Sequence, residues 1–457
     1  MHVIVAGAGQ VGSAIARYLS KVGNDVTVID QNPELAQRIG DALDIQAVVG
    51  HAALPSTLER AGAADADLLV AVTHVDEVNI VACQVAHSLF NVPTRIARIR
   101  EQDYLDERYA DLFRREHIPV DVVISPEREV ARAIALRLAI PGALTVVPFA
   151  DDLVRLVSLR IDETASVIDT PLRELTALFP DLHVVCVGIV RGERFFVPGG
   201  DDRILAGDEV FVVCETAQLA RALPVFGQVE PGPSRLVVVG GGNIGLRLAE
   251  ILEAQHPELA CKLVEANPAR ADLVAQRLHR TVVLGGDGRS RDTLLEAGVD
   301  GAGAIVAVTN DDDINILASL LAKRLGCPRA LALVTRADYE ILTADIGIDV
   351  TINPRDTTVS SILGHIRRGR IRAVHTIRDG AAEVFEAEAL ETSPIVGQPL
   401  RELKAPGLVL GAMVRGNRVI TPRGDTVVRA GDRVVIAARA DTVKRVEQLF
   451  AVRLDYF

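Results

Sequence analysis

The sequence predicts an α/β protein with two doubly wound parallel sheets, each in a nucleotide-binding domain and each followed by a small α+β module. A glycine-rich motif occurs twice, at residues 7–12 (GAGQVG) and 240–245 (GGGNIG), each time between an apolar segment and one with helical spacing of apolar residues. Pro33 and Pro268 also correspond, 235 residues apart. These repeated features show that the chain is a duplication. Segments rich in Val, Ile and Leu alternate with helical ones, as in parallel sheets covered on both faces.

Each half begins with the elements of a Rossmann-like domain. The first strand enters the glycine turn, and the second strand ends in an acidic residue, Asp30 or Glu265. Asparagine and proline follow, which are favoured as helix N-cap and first helical residue. The later strands are predicted at residues 46–49, 68–72, 95–100 and 121–124 in the first half, and at 281–284, 305–308, 330–335 and 349–352 in the second.

A small α+β module is predicted after each nucleotide-binding domain. A helix after Pro126 or Pro354 is followed by short alternating segments separated by turn residues. A PLREL motif at 171–175 recurs at 399–403, so this module is duplicated as well. The predicted nucleotide-binding domains are 1–140 and 234–370, and the predicted small modules are 141–227 and 371–457, with a Pro- and Gly-rich linker at 228–234.

Composition and charge restrict the class of protein. The 457 residues are 49% hydrophobic and 24% charged, as in soluble globular proteins, and no apolar run reaches the ~18 residues of a membrane-spanning helix. The N-terminus shows no secretory signal pattern, and the five cysteines form no CxxC pair, so we expect reduced thiols in a cytoplasmic protein. The net charge of −12 disfavours a nucleic-acid partner.

The glycine motifs are the candidate cofactor sites. In each loop the first glycine permits a tight turn, the second lets a pyrophosphate approach backbone N–H groups, and the third lets helix and strand pack closely. The N-terminus of the following helix adds partial positive charge. The candidate residues are Gly7, Ala8, Gly9, Gln10, Val11 and Gly12 in the first loop, and Gly240, Gly241, Gly242, Asn243, Ile244 and Gly245 in the second.

The acids at the ends of the second strands indicate which nucleotides fit. Asp30 and Glu265 would accept hydrogen bonds from ribose hydroxyls and repel a 2′-phosphate. NAD(H), ATP or ADP therefore fit better than NADP(H). The alternative is that these acids only cap the following helix, a role that Asn32 and Asn267 already fill.

Further candidates follow the fourth strands. Thr73 and His74, with Thr309 and Asn310 in the second half, lie where the crevice of an open α/β sheet holds its ligand. For either threonine, the alternative is a purely structural role at the end of a strand.

Two arginines distinguish the first half from the second. Arg98 and Arg100 alternate on the predicted fifth strand and would bind phosphates from one face. Leu333 and Thr335 stand at the corresponding positions, so we expect the first site to bind anions better. The acids at 311–313 would call for a divalent cation beside a phosphate, or would simply favour a helix N-terminus.

Neither a catalytic nor a metal site is predicted. The sequence contains no HExxH, Walker A, GxSxG or kinase motif, and its 10 histidines are dispersed. Hydride transfer requires an acid or base beside the nicotinamide, and the small modules offer no cluster of such residues. We therefore expect a binding protein rather than an enzyme.

With these features the sequence resembles the TrkA family, cytosolic regulatory subunits of Trk potassium uptake systems built from two RCK units. The duplicated glycine loops and the PLREL motif carry the likeness along the whole chain. The resemblance implies a homo-oligomeric ring, expected to be a homotetramer, docked beneath a membrane potassium channel subunit of the Trk type. It also implies that NAD(H) and ATP or ADP are bound and that their occupancy is converted into gating. The chain would then be peripheral on the inner face of the cell membrane.

The resemblance also assigns binding residues. They are 7–11, Asp30, Thr73, His74 and Arg98 in the first half, and 240–244, Glu265, Thr309 and Asn310 in the second. The second half has Leu333 where the first half has Arg98, which puts phosphate binding at the second site in question. Two alternatives remain open: a cytosolic NAD-dependent dehydrogenase with a compact substrate module, and a sensor of a non-nucleotide small molecule bound where the C-terminal modules pair.

Overall fold

The computed structural model describes residues 1–21, 23–179, 182–192, 194–228, 232–336, 338–339, 342–343, 346–366, 371–377, 380–403 and 407–451. Its contacts divide the chain into two compact units. The first unit contains Met1–Arg132 and Leu236–Ile366, and the second contains Ala133–Arg235 and Arg367–Phe457. Each unit therefore combines segments from both halves of the duplication.

The elements follow the duplication along the chain. The first large half contains β1 (His2–Ala6), α1 (Gln10–Lys21), β2 (Asp25–Asp30), α2 (Pro33–Leu43), β3 (Gln46–Val49), α3 (Pro55–Arg60), β4 (Leu68–Ala71), α4 (Asp76–Phe90), β5 (Thr94–Arg98), β6 (Val122–Ile124) and α5 (Pro126–Leu138). The first small module contains β7 (Ala143–Phe149), β8 (Val154–Arg160), α6 (Leu172–Leu178), β9 (Val184–Arg191), β10 (Arg194–Phe196), β11 (Glu209–Glu215) and α7 (Leu219–Ala222).

The second half repeats this order. Its large part contains β12 (Arg235–Val239), α8 (Asn243–Gln255), β13 (Ala260–Glu265), α9 (Pro268–Arg277), β14 (Val282–Gly285), α10 (Arg291–Glu296), β15 (Ala304–Ala307), α11 (Asp312–Arg324), β16 (Ala330–Leu333), β17 (Val350–Ile352) and α12 (Pro354–Ile366). Its small module contains β18 (Ile371–Ile377), β19 (Ala382–Glu388), β20 (Leu408–Arg415), β21 (Arg418–Ile420), β22 (Arg433–Arg439) and α13 (Val443–Phe450). Within the described ranges, no helix has both the length and the apolar character that crossing a bilayer requires.

The first unit contains two six-stranded parallel sheets of the predicted doubly wound class. Their strand orders are β3-β2-β1-β4-β5-β6 and β14-β13-β12-β15-β16-β17, so the order reverses at β1 and at β12. In such sheets a ligand crevice opens beyond the carboxyl ends of the strands at the reversal. The glycine loops follow β1 and β12 and therefore lie at these crevices. The predicted fold class is confirmed.

The predicted N-cap signals are present at helices α2 and α9. Asn32 Oδ1 accepts a hydrogen bond from Glu34 N (2.9 Å), and Asn267 Oδ1 accepts one from Arg270 N (3.2 Å). A proline occupies the first turn of both helices, where an N–H donor has no partner to lose. Both helices therefore begin three residues after the ends of β2 and β13, close to the acidic ends of these strands.

Asp44, the residue after α2, gives a testable prediction about stability. It is exposed and adopts the left-handed conformation with φ 52°, which is strained for a residue with a Cβ atom. We expect Asp44→Gly to raise the free energy of unfolding by about 0.5 kcal/mol. The matched control is Asp41→Gly inside the same helix, which is expected to lower it by about 0.3 kcal/mol, the difference in helix propensity between Asp and Gly. Urea denaturation measures both, and a loss of stability in Asp44→Gly would contradict the expectation.

Helix α12 of the second half packs against helix α1 of the first half. Ile362 and Leu363 of α12 belong to the same buried cluster as Ile15 and Leu19 of α1, and none of the four is more than 2% exposed. Burial of each such side chain stabilises the fold by roughly 1.5–3 kcal/mol. The two large halves therefore share a hydrophobic core.

The second unit contains two five-stranded sheets, one from each small module. Their strand orders are β10-β9-β11-β8-β7 and β18-β19-β22-β20-β21, and their described pairings are antiparallel. The two modules share a core that includes Phe149, Leu156, Phe211, Val384 and Val435. The modules approach closely, since a Cβ on Gly411 would lie 2.7 Å from Val213 Cβ.

Candidate nucleotide-binding clefts

The first glycine loop has the backbone geometry of a phosphate-binding turn. Gly7 adopts φ 112°, its N–H donates to Ile29 O (2.8 Å), and a Cβ there would lie 3.1 Å from Thr73 N. A Cβ on Gly12 would lie 1.8 Å from Gly7 O, whereas a Cβ on Gly9 would meet nothing within 4 Å. The turn therefore requires Gly7, the packing of helix on loop requires Gly12, and Gly9 keeps the space beside the loop open.

The second loop repeats this geometry. Gly240 adopts φ 107°, and its N–H donates to Val264 O (2.8 Å). A Cβ on Gly245 would lie 1.9 Å from Gly240 O, and one on Gly242 would meet nothing within 4 Å. Helices α1 and α8 begin at the loops, so the free N–H groups of their first turns lie at the two crevices.

Asp30 and Glu265 hold the glycine loops in place. The Asp30 carboxylate accepts hydrogen bonds from Ala8 N (2.7 Å) and from the N–H of the N-cap asparagine (2.8 Å). Glu265 makes the same two bonds, with Gly241 N (2.7 Å) and with the N–H of its own N-cap asparagine (2.8 Å). Both acids are partly exposed, and each carboxylate oxygen keeps a lone pair for a ribose hydroxyl. Capping of the following helix is the role of the asparagines.

Buried asparagines hold the strand ends beside both crevices. Asn79 Oδ1 accepts hydrogen bonds from the N–H (2.9 Å) and the hydroxyl (2.7 Å) of Thr73, and its Nδ2 donates to the last carbonyl of β5 (2.9 Å). Asn315 holds Thr309 and the last carbonyl of β16 in the same way. Both asparagines are 0% exposed. The two threonine hydroxyls therefore have a structural role at the ends of their strands, which was the alternative considered for them. The sequence analysis missed the asparagines, which lie six residues after the threonines.

The first crevice is a cleft of about 520 Å³, which is within the range of small-molecule and cofactor sites. The predicted residues in its lining are Gly7, Gly9, Gln10, Val11, Asp30, Thr73, His74 and Arg98. Two other predicted residues support the loop from behind, because Ala8 is 2% exposed and Gly12 packs against the loop backbone.

Arg98 and Arg100 do not share the cleft, contrary to the expectation from strand alternation. Strand β5 ends at Arg98, so Arg100 lies beyond it, and its Nε donates to Glu127 Oε1 (2.9 Å). Arg98 lines the cleft, and its buried Nε has no hydrogen-bond partner among the described residues. Burial, with the nearby Arg100 charge, lowers the pKa of Arg98, because a desolvated cation is disfavoured. An anion in the cleft would pair with the charge of this guanidinium.

The second half contributes part of the wall of the first cleft, which the sequence analysis did not anticipate. The lining residues from this half are Thr335, Asn353, Pro354, Arg355 and Thr358. Arg355 brings a second guanidinium, whose Nε donates to Asp356 Oδ1 (3.0 Å). No local pattern marks these residues, since the packing of α12 on α1 brings them to the cleft.

The second crevice has a cation that the sequence analysis also missed. Arg270 Nε donates to Gly241 O (2.7 Å), and its Nη2 donates to Asn243 Oδ1 (3.3 Å). Leu333, at the position of Arg98, is 4% exposed and belongs to the core. The second crevice therefore has a guanidinium on a different wall from the first. The 235-residue offset aligns Arg270 with Leu35, but this difference in residue type does not by itself place either side chain at a crevice.

The acids after β15 have structural partners. Asp311 caps α11 by accepting hydrogen bonds from Asp313 N (2.9 Å) and Ile314 N (3.2 Å). Asp312 accepts hydrogen bonds from Thr335 N (3.0 Å) and Arg336 N (2.9 Å). Asn310 is exposed at the mouth of the crevice. In the part of the chain that the structure describes, no group of three or more His, Cys, Asp or Glu residues is placed to hold a metal ion.

Comparison with known families extends these observations to the whole chain. The TrkA-N domain matches residues 3–126 and 236–354, and the TrkA-C domain matches residues 156–227 and 384–451. The chain belongs to the TrkA family. Among TrkA relatives, the "Trk system potassium uptake protein TrkA" of Azorhizobium caulinodans is 49% identical over 458 residues, and that of Halomonas elongata is 40% identical over 462 residues. In both comparisons 100% of each chain is covered.

Solved structures resemble this chain in fold at low sequence identity. The crystal structure of the GsuK RCK domain is 18% identical, with a TM-score of 0.58, covering 99% of this chain and 95% of that one. The structure described as the GsuK channel bound to NAD is 19% identical, with a TM-score of 0.59, covering 99% of this chain and 79% of that one. The domain matches and the relatives confirm the resemblance to the TrkA family and the duplicated arrangement of its domains, and the solved structures confirm the fold.

Proposed function

We propose that this chain is the nucleotide-sensing regulatory subunit of a potassium uptake system. It binds NAD(H) and ATP or ADP in its two clefts and gates a membrane potassium channel subunit of the Trk type. The observation that carries this proposal is the first cleft. There a glycine loop, an acid for ribose and Arg98, whose Nε has no partner among the described residues, are joined by residues from the other half of the chain. Full-length relatives named as potassium uptake proteins support the potassium part.

The ligand chemistry follows from the walls of the cleft. The open space beside Gly9 and the N-terminus of α1 suit a pyrophosphate. Asp30 suits the two hydroxyls of an unmodified ribose and repels a 2′-phosphate. Arg98 and Arg355 suit the further phosphates of ATP or ADP, or the second nucleotide of NAD(H). These features support the proposed cofactors over NADP(H).

The lining of the first cleft suggests how nucleotide binding is coupled to the membrane partner. Because residues of both halves line the first cleft, a nucleotide can bind one arrangement of the halves better than another. Such a ligand shifts the population by no more than its difference in affinity between the arrangements. We assign the arrangements to a homotetrameric ring at the inner face of the membrane, held there by its partner. The net charge of −12 is compatible with docking to the basic cytosolic loops of a membrane protein.

Two variants test the binding sites separately. Gly9→Val and Gly242→Val place a side chain where pyrophosphate would lie, and their Cβ atoms meet nothing within 4 Å, so the fold should tolerate them. Titration calorimetry of the full-length protein with NAD(H), ATP and ADP should show one class of sites lost in each variant. The matched control is Gly199→Val in the small module, whose Cβ would meet only Asp202 Oδ2 at 3.7 Å.

The same variants test the regulatory role. In cells that depend on the uptake system, potassium uptake should lose its response to nucleotide levels in Gly9→Val and keep it in Gly199→Val. Unchanged nucleotide binding in both cleft variants would overturn the assigned sites. Because His51 and His74 line the first cleft, an assay for NADH oxidation with cell metabolites is also required, and stoichiometric turnover would favour the dehydrogenase.

A further inference from the structure

The two clefts carry their cations on opposite walls. In the first half, Leu35 at the start of α2 and Arg98 at the end of β5 both line the cleft. The corresponding residues of the second half, 235 further on, are Arg270 and Leu333. The arginine and the leucine have thus exchanged places between the two halves.

Hydrogen bonds hold Arg270 against the second glycine loop. Its backbone N–H donates to the N-cap Asn267 Oδ1 (3.2 Å), so the residue lies in the first turn of α9. Its guanidinium lies against the glycine loop through Nε to Gly241 O (2.7 Å) and Nη2 to Asn243 Oδ1 (3.3 Å). The residue is only partly buried, and these bonds leave other N–H groups of its five-donor fork without a partner among the described residues. The guanidinium can therefore serve a ligand.

The strand order shows which part of a ligand each arginine would meet. Strands β2 and β5 lie on opposite sides of the β1–β4 pair, as β13 and β16 do with the β12–β15 pair. Asp30 and Glu265, the acids for the adenosine ribose, end β2 and β13. Arg270 is thus on the adenosine side of its cleft, and Arg98 is on the far side of the first.

We propose that Arg270 is a ligand-binding and specificity-determining residue of the second cleft, where it stacks on the adenine base and donates to the first phosphate. The second cleft then recognises the adenosine 5′-phosphate part of a nucleotide, whereas the first cleft needs the groups beyond the first phosphate, which reach Arg98. This inference rests on the proposed nucleotide binding. A planar guanidinium serves both contacts, through its π-face and through its N–H edge.

The test uses adenosine 5′-monophosphate and NAD, titrated by calorimetry into the full-length protein with one cleft blocked. With the first cleft blocked by Gly9→Val, the second cleft should bind the monophosphate and NAD with affinities within about tenfold of each other. Adding Arg270→Leu, the residue type that the first half has there, should weaken both by about tenfold or more. Arg270→Lys should recover only part of the loss, since lysine keeps the charge without the planar fork.

The reciprocal change tests the same idea in the other cleft. With the second cleft blocked by Gly242→Val, the first cleft should bind NAD at least about tenfold more tightly than the monophosphate. Adding Leu35→Arg should raise the affinity for the monophosphate. The matched control for Arg270→Leu is Arg277→Leu, at the other end of helix α9 and in the same Gly9→Val background. Arg277 pairs with Glu250 (3.0 Å), and its loss should leave nucleotide binding unchanged.

The outcomes separate this inference from the proposed function. If Gly9→Val binds nucleotide and Gly9→Val with Arg270→Leu binds it equally well, Arg270 has no ligand role and the inference is wrong. If Gly9→Val binds neither ligand, the second cleft is not a nucleotide site and the proposed function loses one of its two sites. Thermal melting of each variant shows whether a loss of binding comes from unfolding.

Discussion

Gly12→Ala should abolish nucleotide binding in the first cleft and lower the free energy of unfolding by about 3 kcal/mol. The added Cβ would lie 1.8 Å from Gly7 O and 2.9 Å from Gly7 C, both backbone atoms. Gly7 cannot yield easily, because its own φ of 112° places it against the backbone of Thr73. Helix α1 must then move away from the loop, and overpacking of this kind costs about 1–3 kcal/mol or more. Denaturation and calorimetry measure the two effects.

The duplication provides the controls for this prediction. Gly245→Ala, with a Cβ 1.9 Å from Gly240 O, should have the same effect on the second cleft and leave the first cleft occupied. Gly9→Ala adds the same methyl group three residues before Gly12, where it meets nothing within 4 Å, and should change stability by less than about 0.5 kcal/mol. Equal stability of Gly12→Ala and Gly9→Ala would contradict the close approach of helix and loop.

Arg95→Ala should lower the free energy of unfolding by about 3–5 kcal/mol, because it truncates a large, fully buried side chain and removes the donor of buried carbonyls. Arg95 is 0% exposed, and its guanidinium donates to Asp121 Oδ1 (2.8 Å), Pro119 O (2.7 Å) and Val92 O (2.6 Å). Its removal leaves Pro119 O and Val92 O without this donor, and each carbonyl carries a desolvation cost. Asp121 loses the guanidinium, but it is partly exposed and its Oδ2 keeps the backbone N–H of residue 95 (2.7 Å). Urea denaturation of the full-length protein measures the effect.

The second half of the chain suggests a rescue of this variant. There Ala330 occupies the position of Arg95, and Lys323 occupies the position of His87. The Lys323 ammonium donates to Asp349 Oδ2 (2.9 Å) and to Pro328 O (2.8 Å). His87→Lys combined with Arg95→Ala should therefore recover part of the lost stability, and His87→Lys alone should not stabilise the protein. A double variant no more stable than Arg95→Ala would show that the two halves are not interchangeable here. The exposed Arg114, mutated to Ala, is the neutral control.

Features that depend on local backbone chemistry were predictable from the sequence. The Asn-Pro pairs before α2 and α9 identify helix starts because an asparagine side chain and a proline ring act on adjacent residues. The strand at Gln46–Val49 was predicted with its observed bounds. The duplication strengthened these predictions, since the Asn-Pro pairs and the strand pattern occur in both halves.

Features that depend on tertiary contacts were not predictable in the same way. Arg100 continues the alternation of Arg98 in the sequence, yet β5 ends before it and Glu127 binds its side chain. Asn79 has no unusual sequence context, although its fully buried amide joins two strand ends. Arg270 could be recognised as a cleft residue only after α9 was placed beside the second glycine loop.

The sequence by itself determined the fold class, the family, the two glycine loops and the acids beside them. Each of these depends on residues close together in the chain, whose backbone preferences hold in any context. Only the tertiary structure decided that the first cleft includes residues from both halves and that each cleft has its arginine on a different wall. These properties arise from the packing of α12 on α1 and from the order of the strands, which bring together residues far apart in sequence.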